Sequence, residues 1–376
     1  MTLTINEIAD VINISVSNPS ESGYDVFVGL EHYDIGEPFI TRFGSTKMLT
    51  TACKKFSAGD ILLARRNVYL RRAGVVEFDG LTSGDSIVIR VKPNLSIEGV
   101  DSNAISRLLP FILNTNAFWD FANTNSDGTM SKRLSPQMLL SYEFELPPVA
   151  DQKPLADKLW AAYKLKASKI KLIDAIDEMV KSQFIEMFGT PENNHKGFPV
   201  TTVRDIIESI NYGTSKPATE DGSVPYLRMN NITYDGHLDL SEIKYINLSI
   251  EDDEKAFVRK GDMMFNRTNT KEFVGKTCVF NQDTPMVIAG YIIRVRFKAG
   301  YYSEYVSGYL NSQYGKKRLR EMAKGAVHQA NINAQEFQSI LILNISEELQ
   351  KQYIAIVEQA DKSKSVCRQT IKRLAS

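Results

Sequence analysis

The sequence predicts an α+β chain with two strand-rich, mixed α/β domains related by internal pseudo-twofold symmetry. Two long antiparallel helices forming a coiled coil separate them. Three observations predict this. The 376-residue chain repeats its own pattern about 198 residues on, each copy ends in a heptad-spaced stripe, and proline and glycine punctuate the stripes where they begin and end.

The first domain is expected over residues 1–146, with alternating patches such as Ser86-Ile87-Val88-Ile89-Arg90-Val91 set among Gly, Asn and Asp turn residues. Its pattern returns downstream. Glu7, Ile8, Ile12 and Asn13 answer to Asp205, Ile206, Ile210 and Asn211, all 198 residues on, and Phe27-Val28-Gly29-Leu30-Glu31-His32 answers to Tyr226-Leu227-Arg228-Met229-Asn230-Asn231 at 199. Gly59-Asp60 followed by Arg65 and Asn67 recurs as Gly261-Asp262 followed by Arg267 and Asn269, at 202. Ile87 to Val91 aligns with Tyr291 to Val295, and Leu113-Asn114-Thr115 with Leu310-Asn311-Ser312. Gln152-Lys153 then meets Gln350-Lys351 at 198 again, as loop insertions inside a true repeat require.

Leu146-Pro147-Pro148 marks the first boundary, because two prolines remove backbone donors and fix an extended entry before Asp151, a plausible N-cap. The central helix is placed in 147–190. From Asp151 to Phe188 there is no glycine, and the one proline, Pro154, falls in the first turn where its missing N–H costs little. About 38 residues at 1.5 Å each would span roughly 57 Å. The stripe is Leu155, Leu159, Ala162, Lys166, Lys169, Ile173, Ile176 and Val180, and Gly189-Thr190-Pro191 stops it.

The second domain is expected over 198–344, with Tyr234-Asp235-Gly236 as a tight turn, and the C-terminal helix over 345–376. From Ser346 to Leu374 the heptad spacing recurs at Tyr353, Val357, Ala360, Lys364, Cys367, Ile371 and Leu374, so that Lys364 aligns with Lys166. One stripe alone fits an amphipathic helix lying on its own domain. Two matched stripes favour burial of the seams against one another in an antiparallel coiled coil.

At this length, 43% hydrophobic residues allow a core in each domain. Forty-five basic residues balance forty-five acidic ones, so attraction to polyanions must come from local patches. Three isolated cysteines, Cys53, Cys278 and Cys367, argue against a disulfide framework or zinc cluster and for a reducing cytoplasm. The N-terminus shows no basic and apolar leader pattern, and no apolar run is long enough for a membrane span.

Enzymatic motifs miss. Gly275-Lys276-Thr277 resembles the end of a phosphate-binding loop, but the first glycine it needs is replaced by Thr270. No glycine fingerprint for a dinucleotide or for S-adenosylmethionine appears, and Asn18-Pro19-Ser20 lacks the second proline and the aromatic of an amino-methyltransferase box. Asp239 with Glu242 and Lys244 superficially resembles the acidic pair and lysine of a metal-dependent nuclease, although Glu-x-Lys triplets are common on solvated surfaces. His32, His195, His237 and His328 lack the spacing of a metal site or triad. No catalytic or metal-ligating residue is expected.

What remains is a set of polar clusters at equivalent places in both halves. In the second half these are Arg228, Asn230 and Asn231, then Asn266, Arg267, Thr268 and Asn269, then Lys276. In the first they are Glu31 and His32, then Arg65, Arg66 and Asn67, then Tyr69 with Arg71 and Arg72. Arg and Asn suit bidentate contacts to guanine and adenine edges, while Lys and further Arg serve phosphates. Turn chemistry alone also enriches Asn in loops. The clusters differ between halves where their surroundings agree, as two readers of different sequences would.

These residues resemble the specificity subunits of type I DNA restriction-modification systems, over essentially the whole chain. The resemblance rests on Pro225-Tyr226-Leu227-Arg228-Met229-Asn230-Asn231-Ile232 with Asp235-Gly236, the Gly-Asp-x-x-x-x-Arg segments of both halves, Leu146-Pro147-Pro148, and Lys181-Ser182-Gln183-Phe184-Ile185-Glu186-Met187-Phe188-Gly189. It implies two target recognition domains, each reading half of a bipartite sequence in double-stranded DNA. It also implies helices that act as a ruler and as the docking surface for two modification subunits, and restriction subunits joined through the complex. No catalysis by this chain is implied: S-adenosylmethionine, ATP and magnesium would sit on partner subunits. The first half departs from the pattern, with Gly29-Leu30-Glu31-His32 where the second has Arg-Met-Asn-Asn. Two other readings are a stand-alone nuclease using Asp239, Glu242 and Lys244 with a divalent metal, and a non-enzymatic coiled-coil scaffold whose globular units bind protein.

Overall fold

The computed structural model describes residues 1–128, 131–326 and 329–375, so His328 lies outside the described residues. The fold mixes helix and strand as expected, and the chain divides into two compact units, Met1–Leu165 and Lys166–Ser376.

In unit 1 the strand Thr2–Thr4 runs straight into a single helical turn, Ile5–Ile8, and then the strand Ala9–Ile12. Glu7 fixes that corner, its carboxylate accepting from the Thr4 N–H at 2.6 Å and the Thr4 hydroxyl at 2.9 Å. Thr2–Thr4 pairs antiparallel with Glu143–Glu145, so the ends of the globular part close on each other. Behind this corner lies an antiparallel sheet in the order Ala9–Ile12, Ser86–Val91, Ile61–Ala64, Ala73–Val75. A second, five-stranded sheet contains one parallel pair, Val26–Val28 beside Gly80–Thr82. Two helices, Ser102–Ile112 and Asn116–Thr124, are N-capped by Asp101 and Thr115 and put Leu109, Phe118 and Trp119 into the core.

Unit 2 rebuilds the same order. Val200–Thr202, the turn Val203–Ile206 and the strand Ile207–Tyr212 repeat the entry, with Asp205 in the role of Glu7. Val200–Thr202 pairs with Leu341–Leu343. An antiparallel sheet follows in the order Ile207–Tyr212, Ile292–Phe297, Met263–Asn266, Thr277–Val279. The second sheet again holds one parallel pair, Val224–Leu227 beside Met286–Ile288.

Three buried polar contacts repeat with the fold. Asp60 takes a bidentate Arg90, Nε at 2.6 Å and Nη2 at 2.7 Å, and Asp262 takes Arg296 at 2.7 and 3.2 Å. Arg90 therefore corresponds to Arg296, which corrects the alignment of Arg90 with Arg294. The Arg294 guanidinium instead donates to the carbonyls of Phe257 at 2.6 Å and Glu254 at 3.2 Å. Asn114 bridges to the Ala73 carbonyl and Asn311 to that of Thr277, both at 3.0 Å.

The third contact anchors each long helix. Gln152, fully buried, donates to the carbonyls of Gly99 and Pro147 at 2.8 and 3.0 Å and accepts from the Asp101 N–H at 2.9 Å. Gln350 does the same with Gly300, Ile345 and the Tyr302 N–H at 3.1, 2.9 and 3.1 Å.

The first long helix spans Val149–Phe188 and the second Glu347–Ala375. Inside unit 1 the expected stripe departs at its first position, where Leu155 is exposed and Ala156 is buried, while Leu159 packs on the core and Ala162 is half-buried. Trp160 reaches back onto its own domain, its indole N–H on the Arg107 carbonyl at 3.0 Å and its ring against Phe39 and Phe111. Inside unit 2, Phe184 meets Tyr353 while Asp177, two turns earlier, meets Lys364, eleven residues later on the second helix. The two helices run antiparallel there. Lys364 is a polar member of the stripe because its ammonium lies 2.7 Å from Asp177 and 2.9 Å from Asp361. Burial would raise the Asp177 pKa, but hydrogen bonds and charge from His237 and Lys364 outweigh it and hold it at about 2. Among the described residues no helix is long and apolar enough to cross a membrane.

Candidate nucleic-acid interface

The polar clusters gather around one short turn in each unit. The 3-10 turn Met229–Asn231 follows the central parallel strand of unit 2, and Leu30–His32 follows its counterpart in unit 1. Asn231 is 2% exposed. Its side-chain oxygen accepts from the Arg228 N–H at 2.8 Å, and its amide hydrogens go to the carbonyls of Asp239 and Glu242 at 2.8 and 3.3 Å. In unit 1 His32 Nδ1 accepts from the Gly29 N–H at 2.9 Å. A neutral imidazole accepting at Nδ1 carries its proton on Nε2. The departure Gly-Leu-Glu-His thus preserves the contact: imidazole and carboxamide are interchangeable acceptors for one backbone N–H.

The other end of each turn is also pinned. The Arg72 guanidinium donates to the Leu30 carbonyl at 2.9 Å, and the Lys276 ammonium to the Met229 carbonyl at 3.0 Å. Burial lowers the pKa of both cations. A second Arg72 nitrogen reaches the Arg66 carbonyl at 3.1 Å, tying the turn to the Arg65–Asn67 segment. In unit 2 the Asn269 amide lies 3.9 Å from the Met229 sulfur.

That neighbouring segment differs between units. In unit 1 Asn67 and Arg71 both have left-handed backbones, with φ of 55° and 51°. The turn Val68–Leu70 between them leaves Tyr69 61% exposed. Arg71 donates to Asn116 Oδ1 at 2.6 Å, Arg66 to the Ser131 hydroxyl at 2.9 Å, and Ser131 to Asn67 Oδ1 at 3.3 Å. Exposed Arg133 lies 3.3 Å from Asp85. The antiparallel bridges of Arg133 to Arg66 and Asp127 in unit 1 are extended in unit 2 into a small sheet, ordered Thr268–Asn269, Gln329–Asn331, Lys324–Ala326. There Asn331 donates to the Thr268 hydroxyl at 2.7 Å and Arg267 lies over the Tyr212 ring at 4.8 Å.

The sequence-selected residues fall into two groups. Arg66, Arg71, Asn230, Arg267, Thr268 and Asn269 are wholly or partly exposed, whereas Asn231 and Asn266 are buried. Arg65, Arg72, Arg228 and Arg267 are half-buried, each with its Nε enclosed and unpartnered. Lys316 was missed. It is 6% exposed, it lies over the Tyr234 ring at 4.6 Å without a hydrogen-bond partner, and burial pushes its pKa down to about 7. Lysine at the fourth position after a Ser N-cap carries no sequence signal that would set it apart from a solvated one.

Of Asp239, Glu242 and Lys244, the set that superficially resembles a nuclease signature, the first two take part in turn structure. The Asp239 carboxylate accepts from the Ser241 N–H at 2.9 Å, and the backbone carbonyls of Asp239 and Glu242 receive the Asn231 amide. Among the described residues no group of three or more His, Cys, Asp or Glu side chains could hold a metal ion.

The chain thus duplicates one α+β unit, each copy ending in a long helix and presenting a pinned polar turn. Comparison with known proteins agrees. The chain is 22% identical over 250 residues to the type I restriction enzyme EcoKI specificity subunit of Escherichia coli strain K12, covering 62% of this chain and 54% of that one. It is 26% identical over 166 residues to the putative type I restriction enzyme MjaX specificity subunit of Methanocaldococcus jannaschii, covering 43% and 39%. The chain thus spans about half or less of the length of these curated relatives. Over its whole length the fold resembles the type I restriction-modification S subunit from M. genitalium, with a TM-score of 0.58, 12% identity and 92% of that chain covered. A chain from the structural study of assembly and conformational transition of a type I system matches at a TM-score of 0.54, 16% identity and 93% coverage. No family model matches. The resemblance to type I specificity subunits read from the sequence is borne out by these relatives, and nothing supports the nuclease or scaffold readings.

Proposed function

We propose that the chain is the DNA sequence-recognition subunit of a type I restriction-modification complex. Each unit reads one half of a bipartite target in double-stranded DNA. The long helices dock two modification subunits, and restriction subunits join through the complex. The chain performs no chemistry itself. S-adenosylmethionine, ATP and magnesium act on the partner subunits, in the cytoplasm.

One observation carries this reading: the two units share a buried polar frame contact for contact, yet present different exposed side chains around equivalent turns. A frame held constant under a variable surface suits two readers of different sequences. Arg66, Arg71, Arg267, Thr268 and Asn269 supply the outward polar groups, with arginines able to serve phosphates and base edges. Arg72, Lys276 and Asn231 hold the frame.

Methylome sequencing of a host carrying this chain and its modification subunit tests the reading. The expected result is one methylated motif of two short tracts with a fixed gap. Exchange of residues 1–146 for those of a relative should change one tract only. A continuous motif, or methylation independent of this chain, would refute the proposal. Cleavage of DNA by the purified chain with magnesium, abolished by Glu242→Ala, would replace it with the nuclease reading.

A further inference from the structure

The pinned turn holds almost all of its polar groups inward. Gly29 N–H and Arg228 N–H are taken by His32 and Asn231, and the next carbonyl is taken by Arg72 or Lys276. The central residue is left exposed in both units, the Glu31 carboxylate lying 3.8 Å from His32 Nδ1 and over the Cα of Gly29. It is Glu31 in unit 1, with its side chain 68% exposed, and exposed Asn230 in unit 2. These positions are equivalent by the contacts on both sides, and their chemistry differs.

We infer that Glu31 and Asn230 are equivalent specificity-determining residues, each reading a base edge from a turn whose backbone is fixed before DNA arrives. This rests on the recognition reading above. A side chain on an immobilised backbone loses less freedom on binding than one on a mobile loop, so more of its hydrogen-bond energy becomes discrimination. Glu31 as a carboxylate only accepts, so it selects an exocyclic amine in the major groove, cytosine N4 being the matched partner. Asn230 donates and accepts together and matches adenine N6 and N7. A carboxylate brought to a phosphate backbone needs local positive charge. Arg72 provides it, since its guanidinium is held on the Leu30 carbonyl beside Glu31 and its charge interacts with the Glu31 carboxylate. The two half-sites therefore differ at the base pair these residues face, C·G in one and A·T in the other.

The test uses the full chain in complex with its modification subunits and a pool of duplex DNA carrying two randomised tracts. Wild type should select a bipartite sequence. Glu31→Gln should lose its cytosine preference at one position of one tract, and Asn230→Asp should move one position of the other tract from adenine towards cytosine. Each change should be roughly ten- to hundredfold at that base pair and leave the opposite tract intact. Both side chains are exposed, so the variants should unfold with wild type, and Glu31→Ala with Asn230→Ala repeats the test without a new charge. Unchanged selection in both tracts, or a uniform weakening for all sequences, would overturn the inference while leaving the recognition reading standing. Failure of wild type to select any bipartite sequence would instead overturn the recognition reading and this inference with it.

Discussion

The helix after the conserved asparagine begins alike in both units, at Thr115 and at Ser312, each hydroxyl capping a backbone N–H three residues on. Four residues past the cap, unit 1 buries the indole of Trp119 and unit 2 the ammonium of Lys316. The backbone frame is shared while its contents have diverged. Where a polar contact fixes the frame, as at Asp60 and Asp262 or Gln152 and Gln350, the residue recurs. Where only space must be filled or a backbone N–H satisfied, a different side chain of suitable size or acceptor geometry serves.

Cutting the shared frame should produce the largest effects. Asp60→Ala should cost roughly 3 kcal/mol, because a bidentate arginine loses its carboxylate and the Ser57 N–H loses its acceptor. Asp262→Ala should cost more, on the order of 4 kcal/mol. Arg90 is 40% exposed and can turn to water, whereas Arg296 is 28% exposed beside the almost fully buried Arg294. Both tryptophans, Trp119 and Trp160, lie in unit 1. Urea unfolding followed by fluorescence therefore reports Asp60→Ala, and hydrogen exchange reports Asp262→Ala. Equal or reversed costs would break the account of the two clamps.

The divergent position should give the next effect, and it depends on pH. Burial pushes the Lys316 pKa down from the ordinary lysine value of 10.5 to about 7. Between these values the unfolded chain binds a proton that the folded chain has released, so the Lys316 contribution to unit 2 stability should rise from pH 7 towards pH 10. Lys316→Met should remove that slope and stabilise unit 2 at neutral pH, by on the order of 3 kcal/mol. Unit 2 hydrogen exchange at several pH values measures it, and an unchanged slope in the variant would refute the assignment.

The helix anchors come third. Gln152→Ala and Gln350→Ala each remove three hydrogen bonds and strand buried backbone groups, so each should cost roughly 2 kcal/mol. The costs should match to within about 0.5 kcal/mol, the limit of mutational bookkeeping. A large inequality would mean that the anchors have parted in role.

The sequence disclosed the repeat, the long helices and the paired glutamines because each left residue identities in place. It misplaced Arg90 against Arg294 for a definite reason. Arg294 and Arg296 are two apart on one strand, so both alignments keep the same face towards the core and periodicity cannot separate them. The helix stripe failed only at its first position, where the buried residue is Ala156 and not Leu155. Arg72, Lys276 and Asn231 looked like DNA contacts because their donors suit bases and phosphates. Only the fold shows those donors turned to the carbonyls of Leu30, Met229, Asp239 and Glu242.

The smallest effect tests the interchange of imidazole and carboxamide. His32→Asn keeps an acceptor for the Gly29 N–H and should cost less than about 1 kcal/mol, whereas His32→Ala should cost about 1 kcal/mol or slightly more, as lost caps do. The reverse exchange is not symmetrical. Asn231→His keeps the Arg228 contact but cannot replace both amide hydrogens that serve Asp239 and Glu242, so it should cost roughly 2 kcal/mol. Fluorescence-monitored urea unfolding for the His32 variants and unit 2 hydrogen exchange for Asn231→His give the three values. The ordering matters more than any one of them. If Asn at position 32 cost as much as Ala, the turns would be alike in shape alone, and Glu31 and Asn230 would lose their claim to equivalent places.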